Sequence, residues 1–299
     1  MACIIFILFD GVFIVIEGVL LVDKPVGPSS FDVVRAVRKL SGIKRVGHAG
    51  TLDPLASGLM VVCLGRYTKL AGYLTDSSKV YESVFTLGVA TNTDDGEGEV
   101  IEQKSLEGLN HEAIVAALET FKGTIEQVPP KFSAIKMDGV RAYKMARDEK
   151  NFELAARSVE ILELEIMKIA LPEVHVRVHC SKGTYIRAIA RDLGNKLGVG
   201  AFASSIRRTK SGSFSLPAAI ALDNLSEENL KAGLLLGKDA LGGMAVVQFD
   251  KQNMLNAKHG RPLSGGIILQ EDYGVGFYLG EPVAILKLEK GKIKVVRGL

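Results

Sequence analysis

From Gly47 to Gly58 the chain reads G-H-A-G-T-L-D-P-L-A-S-G, a turn-forming string that carries one carboxylate, Asp53, with His48 five residues ahead of it. Gly47, Gly50, Pro54 and Gly58 hold backbone in a shape few other residues allow, and Pro54 biases Asp53 toward an extended conformation. An acid held in this way is aimed rather than dangling. A single ionised carboxylate can act as a covalent nucleophile in a site that excludes water. Glycoside hydrolysis also places acids beside a sugar bond, but it generally needs two at a set separation, and this string holds one. The plain alternative is an Asp-Pro turn joining a helix to the apolar strand 59–64.

Cations and aromatics gather at three other places. After Pro129-Pro130 come Lys131, Lys136, Arg141, Lys144, Arg147 and Lys150 against Asp138, Asp148 and Glu149, a local excess of three positive charges interleaved with Phe132 and Tyr143. Such a stretch is either a solvated face or a grip on a nucleic-acid backbone. Tyr185 and Arg187 stand where the strand 173–180 passes through S-K-G-T into a helix, and Arg207-Arg208-Thr209-Lys210 forms a compact basic cluster. His175 and His179 share a strand face with Arg177, which reads as a polar face, since a metal would require further ligands in reach.

The elements that must position these groups follow from periodicity. An apolar strand at Gly18–Val22 meets the turn Lys24-Pro25-Val26-Gly27-Pro28; Ser30 is placed to cap a helix whose apolar face is Val33, Val34, Val37 and Leu40, and Gly42 ends it. Alternation from Tyr81 to Val89 predicts a strand with Tyr81, Ser83, Phe85, Leu87 and Val89 on one side. Residues 91–98, T-N-T-D-D-G-E-G, read as a polar turn, and Leu106–Phe121 as a helix. A helix follows the 181–184 turn with Ile186, Ile189, Ala190, Leu193 and Leu197 inward; another lies near Ser226–Leu235, before a joint at Gly242-Gly243. Two short strands at Val283–Leu288 and Lys292–Val296 belong to a terminal piece too small to bury much alone, which therefore packs on the main domain.

At 299 residues with 47% hydrophobic and 24% charged residues, the composition is that of a packed globular protein rather than a disordered chain. A net charge of +3 does not by itself imply an RNA partner, so any electrostatic grip must come from the local clusters. Cys3, Cys63 and Cys180 are odd in number and widely spaced, which suggests neither a disulfide framework nor a zinc site and fits a reducing cytoplasm. Residues 1–17 are almost wholly apolar, but they lack a basic start and are broken by Asp10-Gly11, so they fit neither signal peptide nor membrane anchor. They read as an extension, one that a misplaced start codon could generate.

Taken in order, five segments resemble the TruB family of tRNA pseudouridine synthases. These are G-V-L-L-V-D-K-P-V-G-P-S-S from Gly18, the string around Asp53, S-S-K-V-Y-E from Ser77, P-P-K-F-S-A-I-K-M-D-G-V-R-A-Y from Pro129, and C-S-K-G-T-Y-I-R-A-I-A from Cys180. The resemblance runs from about Gly18 to Phe214. It implies a mixed α/β (α+β) fold with a central, largely antiparallel sheet flanked by helices. It divides the chain into an extension over 1–17, a catalytic domain over 18–243 and a small β-rich, PUA-like RNA-binding module over 244–299.

It also implies an isomerase acting at uridine 55 in the T-loop of tRNA without metal, redox or small-molecule cofactor. Asp53 is then the nucleophile, Arg187 the cation that keeps it charged, and Tyr81 the aromatic that stacks on the extruded base. Tyr185 and Ile206 line the pocket, and His48 fills the space the nucleotide leaves. Lys24 and Lys69 lie near the cleft, while Lys136, Arg141, Arg207 and Arg208 serve RNA contact. The expected partner is the tRNA T-arm; the chain is expected to act as a monomer, away from any membrane. Asn92, where the family commonly has Asp, and Phe202, where His is frequent, depart from the pattern. Two rivals stay open: an RNA-binding or tRNA-folding protein without essential chemistry, and a guide-RNA-dependent synthase.

Overall fold

The computed structural model describes residues 6–9, 12–133, 135–137, 140–148 and 152–299, with the side chains of 6–9, 12–15, 136, 141, 144 and 147 outside that description. One twisted sheet organises the larger part of it. Its principal strands are β1 (Gly18–Lys24), β2 (Ser57–Leu64), β3 (Lys79–Leu87), β4 (Gly123–Gln127), β5 (Arg157–Ala170), β6 (Glu173–Cys180) and β7 (Ala201–Ser211). They lie side by side in the order β1-β2-β7-β3-β6-β5-β4, with Ile220–Ala221 beside β1, Val46–His48 on β2 and Phe214–Ser215 on β7. Neighbours are antiparallel except at β2–β7 and at Ile220–Ala221 with β1.

Three helices cover this sheet: α1 (Ser30–Ser41), α2 (His111–Glu119) and α3 (Ile186–Leu197). Helix α1 forms because Val33, Val34 and Val37 recur on one face and are buried in the core with Leu20, Val22 and Val62. Its cap is Ser29 rather than Ser30: the Ser29 hydroxyl accepts from the Asp32 amide while the Asp32 carboxylate accepts from the Ser29 amide, a reciprocal pairing Ser30 has no partner for. The Ser30 hydroxyl instead accepts from the Leu52 amide at 2.8 Å, tying the helix start to the Asp53 turn. Gly42 ends α1 at φ 68°, as its position predicts. The expected helix over 106–121 is shorter, beginning at the Asn110 cap, whose side chain accepts from the Ala113 amide.

A second sheet is formed by β8 (Ala245–Gln248), β9 (Tyr273–Tyr278), β10 (Glu281–Glu289) and β11 (Lys292–Gly298), in that order. It begins just past the Gly242-Gly243 joint. Its face is continuous with the main core: Val275, Phe277 and Ile285 pack in one buried cluster with Val19, Leu59, Tyr67 and Leu70. The other face of the terminal sheet closes a small cluster of its own around Val247, Phe249, Ala284 and Leu286, so this sheet draws its stabilisation from both a local core and the one it shares with the main sheet. At the other end, Phe6–Phe9 and Val12–Val15 pair as an antiparallel hairpin, while residues 1–5, 10 and 11 of the apolar extension lie outside the described residues. Among the described residues no helix is long and apolar enough to cross a membrane.

Candidate active site

The turn after Val46–His48 lifts Asp53 to the rim of a cavity of about 240 Å³. Its wall brings together Asp53, Tyr81, Tyr185, Arg187, Ile206 and Arg208, six of the residues singled out from sequence, drawn from four separate segments.

Asp53 faces Arg187: Oδ2 stands 2.8 Å from Nη2, with the carboxylate side chain 39% exposed and the guanidinium side chain 4%. Arg187 reaches this place because Tyr185 is the cap residue of α3, so Arg187 falls in the first turn of that helix and points back over the sheet. Gln127 fixes the junction by accepting from the Tyr185 amide at 2.8 Å and donating to the Tyr185 carbonyl at 3.1 Å. Behind Arg187, Nη1 donates to the buried Asp95 carboxylate at 2.9 Å and to the Thr93 carbonyl at 2.9 Å, and Nη2 donates to the Phe132 carbonyl at 2.8 Å. The guanidinium thus bridges one buried acid and one acid open to the cavity. Its planar fork suits that task, where a lysine point charge would not.

Tyr81 projects from β3 directly opposite Arg208 on β7. Burial pushes its phenol above the ordinary tyrosine range, and the Arg208 charge opposes that. Tyr185 is likewise raised, first by burial. Ile206 is buried against the cavity as an apolar wall. Lys79, absent from the sequence expectations, also lines the cavity; burial, followed by Arg208, lowers its ammonium to about 8.

The other expected residues sit farther out. Lys24 is buried, its ammonium donating to the carbonyls of Pro25 and Pro28 at 2.8 Å and of Pro54 at 3.2 Å, so in this structure it braces the turn beside Asp53 and is not open to a phosphate. His48 is half-buried outside the cavity wall, with Nδ1 buried and unpartnered among the described residues. Lys69 donates to the Gly298 carbonyl at 2.6 Å, at the seam with the terminal sheet. Arg207 is part-exposed and pairs with Asp23 at 2.7 Å. Arg208 is buried beneath the cavity and is thus not displayed on an RNA-facing surface. The backbones of Lys136–Met137 and Val140–Arg141 pair as a small ribbon, and the side chains of Lys136 and Arg141 lie outside the described residues. Asn92 accepts from the Glu99 amide at 3.1 Å, while within the same turn the Asp95 carboxylate accepts from the Glu97 amide at 3.1 Å.

Known proteins resemble the chain over most of its length. The N-terminal domain model of TruB family pseudouridylate synthase matches residues 38–186. The tRNA pseudouridine synthase B of Clostridium tetani is 41% identical over 235 residues, covering 79% of this chain and 81% of that protein. That of Rhodococcus jostii is 42% identical over 285 residues, 92% of this chain and 91% of the other. Among solved structures, a chain of a Cbf5-Nop10-Gar1 complex superposes with a TM-score of 0.72 at 28% identity, over 94% of this chain and 84% of that one.

Proposed function

The chain belongs to the TruB family of pseudouridylate synthases, and we propose that it isomerises uridine to pseudouridine at position 55 in the T-loop of tRNA, with Asp53 as the nucleophile. One observation carries this reading: a carboxylate paired at 2.8 Å with a buried guanidinium, on the rim of a cavity walled by Tyr81, Tyr185 and Ile206. Extruding the target nucleotide costs a few kcal/mol. Stacking on one aromatic ring returns about 1–3 kcal/mol of that. Asp53 attacks the extruded nucleoside covalently, the bond between C1′ and N1 opens, the base turns, C5 rejoins C1′, and the bond to Asp53 breaks to return the free carboxylate. Proton balance requires C5 to lose its hydrogen and N1 to gain one, so the reaction is an isomerisation and consumes nothing. Arg187 holds the Asp53 carboxylate in place at 2.8 Å, and Asp95 keeps Arg187 aimed.

The T-arm is the recognised element, the chain acts as a monomer in the cytoplasm, and the terminal sheet serves as a PUA-like RNA contact. The test is to incubate an unmodified T-arm stem-loop transcript with the protein alone and map the modified uridine by mass. Pseudouridine at the T-loop uridine supports the reading. No product, or product only when a guide RNA is added, overturns the stand-alone assignment.

A further inference from the structure

Arg208 presents an unexplained expense. It is 1% exposed, carries a charge it cannot lose, and has no carboxylate partner among the described residues. Burying a cation without a counter-ion is costly unless every donor is well used. Three donations go to backbone, Nε to the Leu59 carbonyl at 2.7 Å, Nη2 to the Gly50 carbonyl at 3.1 Å and Nη1 to the Thr51 carbonyl at 3.3 Å, and the guanidinium also hydrogen-bonds the Tyr81 phenol. Gly50 and Thr51 precede Asp53 in the turn, and Leu59 follows it on β2, so one side chain pins both flanks of the segment that presents the carboxylate. The backbones are in contact too. A Cβ at Gly58 would lie 2.3 Å from the Arg208 carbonyl oxygen, and Gly58 sits opposite Arg208 in the parallel register of β2 and β7. On the other side of β7, Arg208 stands opposite Tyr81.

We propose that Arg208 is a positioning residue for the reaction, holding the Asp53 turn and the Tyr81 ring at a fixed mutual distance from beneath the cavity. This rests on the reading of Asp53 as nucleophile given above. The arrangement explains why an arginine is retained where the strand faces inward: three acceptors on two chain segments need a planar fork with several donors, and a single ammonium cannot span them. It also accounts for the local field. Arg208 acts, after burial, to lower His48 and Lys79, and it holds down the Tyr81 phenol against burial.

The experiment compares wild type, Arg208→Lys and Arg208→Gln for folded content by circular dichroism, affinity for a T-arm stem-loop, and single-turnover rate at saturating enzyme. Loss of about 1 Å of alignment is worth about 100-fold in rate, so Arg208→Lys is expected to fold and bind RNA within about threefold of wild type while turning over about 100-fold more slowly. Arg208→Gln is expected to be slower still. If Arg208→Gln does not fold, the lysine variant decides alone. Wild-type turnover by Arg208→Lys, or a rate loss matched by an equal loss of RNA affinity, overturns the positioning role. Absence of product with wild-type protein instead refutes the functional reading itself, so the two failures are told apart.

Discussion

Changing Arg187 to lysine keeps the positive charge and removes the fork. The guanidinium makes four polar contacts, to Asp53, Asp95, Thr93 and Phe132, all between 2.8 and 2.9 Å. A lysine ammonium in the same channel reaches one acid or the other. Hydrogen bonds to charged groups contribute about 1.5–3 kcal/mol. The Asp95 arm is the expensive one, because both side chains are buried, at 4% and 5% exposure. The Asp53 arm is discounted to about 1 kcal/mol or less for stability, since water screens that carboxylate. The expected loss in unfolding free energy is therefore about 2–3 kcal/mol. The effect on rate is larger, because Asp53 loses its alignment: about 100-fold in single turnover. Urea unfolding followed by circular dichroism gives the first number. Release of tritium from a T-arm transcript labelled at uridine C5 gives the second, since C5 must give up its hydrogen. Turnover within about threefold of wild type in a folded Arg187→Lys protein would refute the bridging role.

Other outcomes follow from the same geometry. Gly58→Ala puts a methyl against the Arg208 backbone at a φ of +102°, and is expected to cost about 3–5 kcal/mol in urea unfolding; an unchanged midpoint would contradict the close approach of β2 and β7. Burial, followed by the Arg208 charge, holds the His48 imidazole below its ordinary range. The unfolded chain takes up that proton near pH 6.5 while the folded chain does not, so stability drops as pH falls from about 6.5 toward the depressed folded value. His48→Gln should flatten this part of the profile, and an unaltered acid limb would count against a neutral His48. Phe277→Ala empties a buried position in the cluster shared by the two sheets and is expected to destabilise the whole chain by about 3–5 kcal/mol in a single transition; a separate, earlier transition confined to the terminal sheet would show that the shared cluster does not couple the two sheets.

Much of the site was legible because its parts are local. The Asp53 turn is written in consecutive glycines and a proline, and the first turn of α3 places Arg187 from the K-G-T-Y-I-R string. Long-range pairing was not legible. Asp95 lies 92 residues from the guanidinium it holds, and Gln127 lies 58 from the backbone it clamps, separations over which no periodicity speaks. Arg208 misled for a physical reason: R-R-T-K reads as surface charge, yet β7 alternates, so Arg207 faces outward to Asp23 while Arg208 turns into the protein. Hydropathy cannot signal a buried cation held by the backbone carbonyls of Gly50, Thr51 and Leu59. Strand β5 escaped similarly, since two register shifts break its alternation against β6. The second sheet starts at Ala245, and nothing in the composition of β9 and β10 says that Phe277 and Ile285 pack in one cluster with Val19 and Leu59 of β1 and β2.

The sharpest test replaces Asp53 with asparagine, which keeps shape and polarity and removes the carboxylate proposed as nucleophile. Affinity for the T-arm should stay within about threefold of wild type, and mass mapping of the RNA should find no pseudouridine. Formation of pseudouridine by this variant at close to the wild-type rate would contradict the account.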